Sequence, residues 1–155
     1  MEALQIISPD IEAVSVIGSD GYSRSRMAIV RSRKHPRPLP LRTFWDGLNR
    51  LFGIILSLCS AKGGVLVVDE IENGLHHSIL EKVWETVFHL ARSLDVQVFA
   101  TTHSWDCIRG FQQAAGKDPE DGVLIRVTNR DGIIIPTLFR EDELAIAARE
   151  HIEVR

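Results

Sequence analysis

The run Val65-Leu66-Val67-Val68-Asp69-Glu70 constrains this chain more than any other six residues in it. Four aliphatics in a row are too few for a helix of their own, and an unbroken apolar run reads as an internal parallel strand buried on both faces. Such a strand delivers the residues after it to the carboxyl edge of a sheet, where open α/β folds bind ligands. Here those residues are two adjacent acids, which repel one another. A magnesium ion compensates well, because it takes hard oxygen ligands and keeps waters and phosphate oxygens around it. A solvated acid pair at a strand end is the alternative, and the hexapeptide alone leaves both open.

The surrounding pattern alternates strands and helices. Ala13 to Gly18, turn chemistry at Ser19-Asp20-Gly21, and the alternating Met27 to Arg33 predict a hairpin. The proline-rich stretch from His35 to Pro40 reads as a connector. Leu48, Leu51, Phe52, Ile55, Leu56 and Cys59 recur at helical spacing, giving a helix from about Gly47 to Ala61. After the Val65 strand, apolar residues from Ile79 to Leu90 predict a second helix, with Trp84 and Phe88 facing a core. Val96 to Thr101 reads as a second buried strand, and Trp105 to Ala115 as a helix anchored by Trp105. Val123 to Thr128 and Ile133 to Leu138 flank a turn at Asn129-Arg130-Asp131-Gly132, and Glu141 to Glu150 reads as a charged closing helix. The fold class is α/β with parallel pairing in the middle.

Neighbouring parallel strands bring their carboxyl ends together, so His103 in Thr101-Thr102-His103-Ser104 is expected beside Asp69 and Glu70. An imidazole there can hydrogen-bond a terminal phosphate or an attacking water. The acids then fit the Walker B arrangement, the first in the magnesium shell and the second polarising water.

Asp69-Glu70-Ile71-Glu72-Asn73-Gly74-Leu75-His76 followed by Thr101-Thr102-His103-Ser104 resembles the C-terminal half of an ABC-type ATPase head, of the OLD-family and RecF/SMC-like kind grouped among AAA-like ATP-binding domains. The resemblance covers roughly Leu39 to Leu138. It implies a partial P-loop NTPase lobe: a central, mainly parallel sheet flanked by helices, with a hairpin at each end. It further implies Asp69 as the magnesium acid, Glu70 as the catalytic base, His103 as the switch histidine, and Glu72 to His76 as the loop meeting a partner head, with Asn73 and Gly74 near nucleotide. Thr43-Phe44-Trp45-Asp46-Gly47 stands where such heads carry a signature motif. There Thr43, Asp46 and Gly47 offer a hydroxyl and a helix N-terminus to a phosphate. Trp45 departs from the pattern, since glycine at that point lets a backbone approach closely and an indole does not.

The phosphate loop Gly-x-x-x-x-Gly-Lys-Ser/Thr does not occur in the 155 residues; the single Gly-Lys, at Gly116-Lys117, is followed by Asp118. The expectation is therefore a lobe that binds ATP and magnesium only in a completed head and is inactive as an isolated chain. It would associate with itself or with a P-loop-bearing segment. The alternative is a non-catalytic interaction module descended from such a head. The organisation expected is a β-hairpin element and connector over 1–40 and the ATPase-like lobe over 41–155, within one domain. The nuclease domain that OLD proteins append is not expected within these residues, which run to Arg155.

Charge suggests one further partner. From Asp20 to Arg50 the segment is +6, against −9 for the remainder of a chain whose net charge is −3. Arg24, Arg26, Arg31, Arg33 and Arg37 could therefore face nucleic acid, although the alternation equally fits a solvated strand. Tyr22 is the lone aromatic beside them, a poor platform for stacked bases. No signal peptide or membrane-spanning run is expected. Cys59 and Cys107 lack metal spacing and read as buried free thiols in a reduced, cytoplasmic setting. His76 and His77 are adjacent in sequence and are expected to diverge, making poor co-ligands.

Overall fold

Alternating apolar and polar residues make the first two strands, β1 (Ile11–Gly18) and β2 (Arg26–Ser32), which pair antiparallel from Ile11↔Ser32 to Gly18↔Arg26. The computed structural model describes residues 4–5, 8–18, 26–44, 46–117 and 122–139. The expected turn at 19–21, Tyr22, Arg24, the side chain of Arg26, Trp45 and the expected helix Glu141 to Glu150 lie outside the described residues. The end of the proline-rich connector is itself a short strand, β3 (Leu39–Pro40), which lies on the outer edge of β2 with Pro40 opposite Ile29. Proline is tolerated there because an edge strand need not donate outward.

A 3-10 turn at Leu41–Thr43 leads into α1 (Asp46–Ser60), which buries Gly47, Leu48, Leu51, Ile54 and Leu58. The buried stripe differs from the expected one: Leu56 and Cys59 are exposed. Periodicity located a helix, but the neighbours it meets chose which flank of its apolar surface is covered. β4 (Val65–Val68) follows. A tight turn then leads through a 3-10 turn at His77–Ile79 to α2 (Leu80–Leu94). Asp95 ends α2 in the left-handed conformation, returning its N–H to Ala91 and Arg92. β5 (Gln97–Ala100) then lies parallel to β4, in register from Val65↔Gln97 to Val68↔Ala100. Ser104 caps α3 (Trp105–Ala115) by accepting the Cys107 N–H at 3.3 Å.

Helices α2 and α3 cross closely at Gly110, where a Cβ would stand 2.9 Å from the Glu81 nitrogen. Trp84 packs edge-on to Phe111 with centroids 5.1 Å apart, Phe88 joins them, and the Trp84 indole N–H donates to the Cys107 carbonyl. β6 (Leu124–Arg130) and β7 (Ile133–Phe139) form the last hairpin. Its turn is only Asp131-Gly132, both left-handed, because Asn129 and Arg130 already pair with Ile134 and Ile133.

Two expectations about the sheet are corrected. Among the described residues there are three separate sheets, and β4–β5 is their only parallel pair. The other pairings are local hairpin or edge contacts, closed by short connections that force antiparallel strands. Nor is β4 buried on both faces: Val65 is 56% and Val67 71% exposed, with Phe99 of β5 at 51% on the same bare side. Among the described residues one core unites Ile11 and Val30 with Leu41, Leu48, Leu51, Leu58, Ile71, Val83 and Val87. No helix among the described residues is long and apolar enough to cross a membrane.

Candidate active site at the end of the parallel strands

The β4–β5 register brings the two chemistry-bearing stretches together. Thr101 follows β5 as Asp69 follows β4, and its N–H bonds the Val68 carbonyl at 2.9 Å. Its hydroxyl donates to Asp69 Oδ1 at 2.5 Å and accepts the Glu70 N–H at 2.9 Å, while its carbonyl accepts the Ile71 N–H at 3.1 Å. One threonine thus fixes the backbone and one carboxylate oxygen of the acid pair. Glu70 itself adopts φ +44, a left-handed conformation that is costly for a residue with a side chain. The turn closes with the Asn73 N–H on the Glu70 carbonyl at 2.9 Å and Gly74 at φ +76, where glycine is at ease.

From below, Arg50 of α1 donates one guanidinium nitrogen to both the Asp69 and the Glu70 carbonyls, at 3.1 and 3.2 Å. Its Nε is buried and finds no acceptor among the described residues. Glu72 reaches the other way and accepts the His103 backbone N–H at 3.0 Å. The side chains of Asp69, Glu70 and His103 are exposed, open to solution on one edge of the sheet.

Asp69, Glu70, Asn73, Gly74 and the His103 backbone therefore share one turn-and-loop cluster. Thr43 is exposed, Asp46 begins α1, and Gly47 is buried against the core. Among the described residues of α1 it is Arg50, one turn beyond Asp46 and Gly47, that hydrogen-bonds the acid turn. Arg50, Thr101 and Glu72 carry interactions that sequence reasoning did not assign. Thr101 is legible as a hydroxyl directly after the second strand, whereas Arg50 reads from sequence as part of the basic Asp20 to Arg50 segment.

Other expected residues stand elsewhere. Arg31 and Arg33 pair with Glu12 at 3.4 and 3.9 Å, and Lys34 pairs with Asp10, so much of the basic strand is neutralised by its own sheet. His76 and His77 do not diverge: their rings meet at a tilt of 36° with centroids 4.2 Å apart, and His76 Nδ1 accepts the Ser78 N–H to cap the next turn. The chain passes from extended backbone at His76 into the 3-10 turn at His77, so the strict alternation of an extended segment does not hold between the two. Cys107 is buried as expected, and burial pushes its thiol pKa up; Cys59 is exposed, a correction to the expected pair of buried thiols. Among the described residues no group of three or more histidine, cysteine or acidic side chains could hold a metal alone.

A family model described as "AAA domain, putative AbiEii toxin, Type IV TA system" matches residues 9–106. The chain is 33% identical over 78 residues to a Helicobacter pylori protein named ATP/GTP phosphatase, a stretch covering 48% of this chain and 21% of that protein. It is also 33% identical over 87 residues to an uncharacterized protein of Methanocaldococcus jannaschii, covering 56% of this chain and 75% of the other. A solved structure described as "Structural biochemistry of ATP-driven dimerization and DNA stimulated activation of SMC ATPases" superposes with a TM-score of 0.67 at 13% identity, over 99% of this chain and 89% of that one. That likeness shows the fold, an ATPase-head α/β fold.

Proposed function

This chain belongs to the AAA-domain family whose model it matches, and on that premise we propose that it is the acid-bearing lobe of an ATP-hydrolysing head of the ABC or OLD kind. A P-loop-bearing segment outside these 155 residues would complete it. Asp69 would supply one oxygen to a magnesium ion, a metal that commonly takes one or two carboxylates and keeps waters, which fits the lack of a larger ligand cluster among the described residues. Magnesium would supply charge neutralisation at the phosphates when ATP is bound. The chain's own residues then divide the work. Thr101 holds one Asp69 oxygen, and the other has no hydrogen-bond partner among the described residues. Glu70, exposed and clamped at its backbone, takes the proton of an attacking water. His103 donates a hydrogen bond to the phosphate side. Thr43, Asp46, Gly47, Asn73 and Gly74 would meet nucleotide across a dimer of heads. Residues 1–40 would serve as a β element ahead of this lobe.

The observation carrying this reading is the Thr101 hydroxyl bridging Asp69 and Glu70 across the parallel pair. Turnover of magnesium-ATP should appear when a P-loop-bearing segment is added and should fall about 10²–10⁴-fold in Glu70→Gln. No turnover in the mixed sample, or turnover indifferent to Glu70→Gln, would sink it.

A second reading, a non-catalytic interaction module, is favoured by the bare apolar face of Val65, Val67 and Phe99. Light scattering that finds a monomer at every concentration, with no complex on adding the P-loop segment, would remove it. Nucleic acid as a partner of the Arg24–Arg37 segment has less support, since Glu12 and Asp10 already answer three of its charges.

A further inference from the structure

Glu72 differs from the two acids before it. Asp69 and Glu70 are exposed, whereas Glu72 is half-buried and has one oxygen, Oε2, shut off from water with no donor among the described residues. An unpartnered buried carboxylate oxygen is destabilising, so stability alone is a weak reason for a glutamate here. Its other oxygen holds the His103 N–H across 31 positions of sequence. The strand ladder cannot do this: regular pairing stops at Val68↔Ala100, and the last backbone bond joins Ile71 to Thr101. Among the described residues, the Glu72 carboxylate makes the single hydrogen bond between the loop at 102–104 and the turn that bears the acids.

We propose that Glu72 is a positioning residue that fixes the His103 loop against the acid turn, so that the imidazole and the carboxylates of Asp69 and Glu70 address one phosphate-bearing ligand. This rests on the reading of Asp69 as a metal acid. Glu72 itself touches no reacting atom. Its carboxylate sits under the loop, close enough to Cys107 for its charge to help raise that thiol's pKa, after burial as the main cause.

NMR on the whole chain tests it, with manganese(II) alone as the probe. Added in an excess that populates even a weak site lacking nucleotide, manganese should broaden the Asp69 and Thr101 amides and the His103 ring protons of the parent chain together. In Glu72→Ala the two amides should stay broadened, while broadening of the His103 ring falls severalfold and exchange of the His103 amide quickens severalfold. Protection at Val83 and Trp84 should persist, as a general loosening of the core would not allow. Glu72→Gln, which keeps a carbonyl oxygen, should restore both readouts, and Glu72→Met serves if the alanine variant does not fold. Unchanged His103 broadening in Glu72→Ala overturns the proposal. If manganese broadens nothing near Asp69 in the parent chain, the metal reading fails instead. The order parameter of the His103 ring then decides: a ring as rigid in Glu72→Ala as in the parent overturns the tether, and a newly mobile one sustains it.

Discussion

The two faces of the β4–β5 pair carry nearly the same kinds of residue in opposite surroundings. Leu66, Val68, Val98 and Ala100 pack against the core, while Val65, Val67 and Phe99 stand open to solvent. Successive side chains on a strand point to opposite faces, so an all-aliphatic strand asks for cover on both sides and receives it on one. The difference teaches where stability ends and assembly begins. The covered face and its helices hold the fold together, and the bare face is apolar surface left open among the described residues.

Truncation on each side gives the largest contrast. Leu51→Ala, at a fully buried position of α1, should cost about 2–5 kcal/mol in urea unfolding. Val67→Thr on the open face should stay within about 0.5 kcal/mol. Comparable losses at both positions would mean the open face is covered after all.

The covered side also reaches up to the acids through Arg50. Arg50→Ala removes a guanidinium that bonds two consecutive carbonyls, and should cost about 1.5–3 kcal/mol in the same assay. It should also shift the Asp69, Glu70 and Thr101 amide resonances more than those of β6 and β7. Shifts confined to α1 would show that the clamp does not govern the turn.

The thiols give the smallest and most finely graded contrast. Cys59 should alkylate quickly with iodoacetamide in the native state, and Cys107 only as the chain opens. Because burial raises the Cys107 pKa above its ordinary 9.0, the unfolded chain loses that proton first as pH rises. Its contribution is therefore fully present below pH 9.0 and is lost as pH climbs from there through the folded-state value. Cys107→Ala should flatten that alkaline slope, and Cys59→Ala should leave it alone.

Much of the fold was legible in residue order. The helix Trp105–Ala115 was read to its last residue, the strands at Val65–Val68 and Ile133–Phe139 within a residue or two, and the acid pair at its strand end without loss. The site was legible where its residues lie next to one another in sequence. It was not legible at Arg50 or Glu72, whose partners lie 19 to 31 positions away.

The sequence by itself determined local character: aliphatic runs make strands, a 3.6-residue period makes helices, and Asp69-Glu70 and His103 arrive at strand ends because of what precedes them. These are consequences of backbone geometry and short-range sterics. Only the tertiary structure decided which flank of α1 and which face of β4 is covered, that the rings of His76 and His77 meet, and that Thr101, Arg50 and Glu72 hold the acid turn. Those outcomes depend on which distant surfaces meet, and hydrogen bonds spanning tens of residues exist only after the chain has packed.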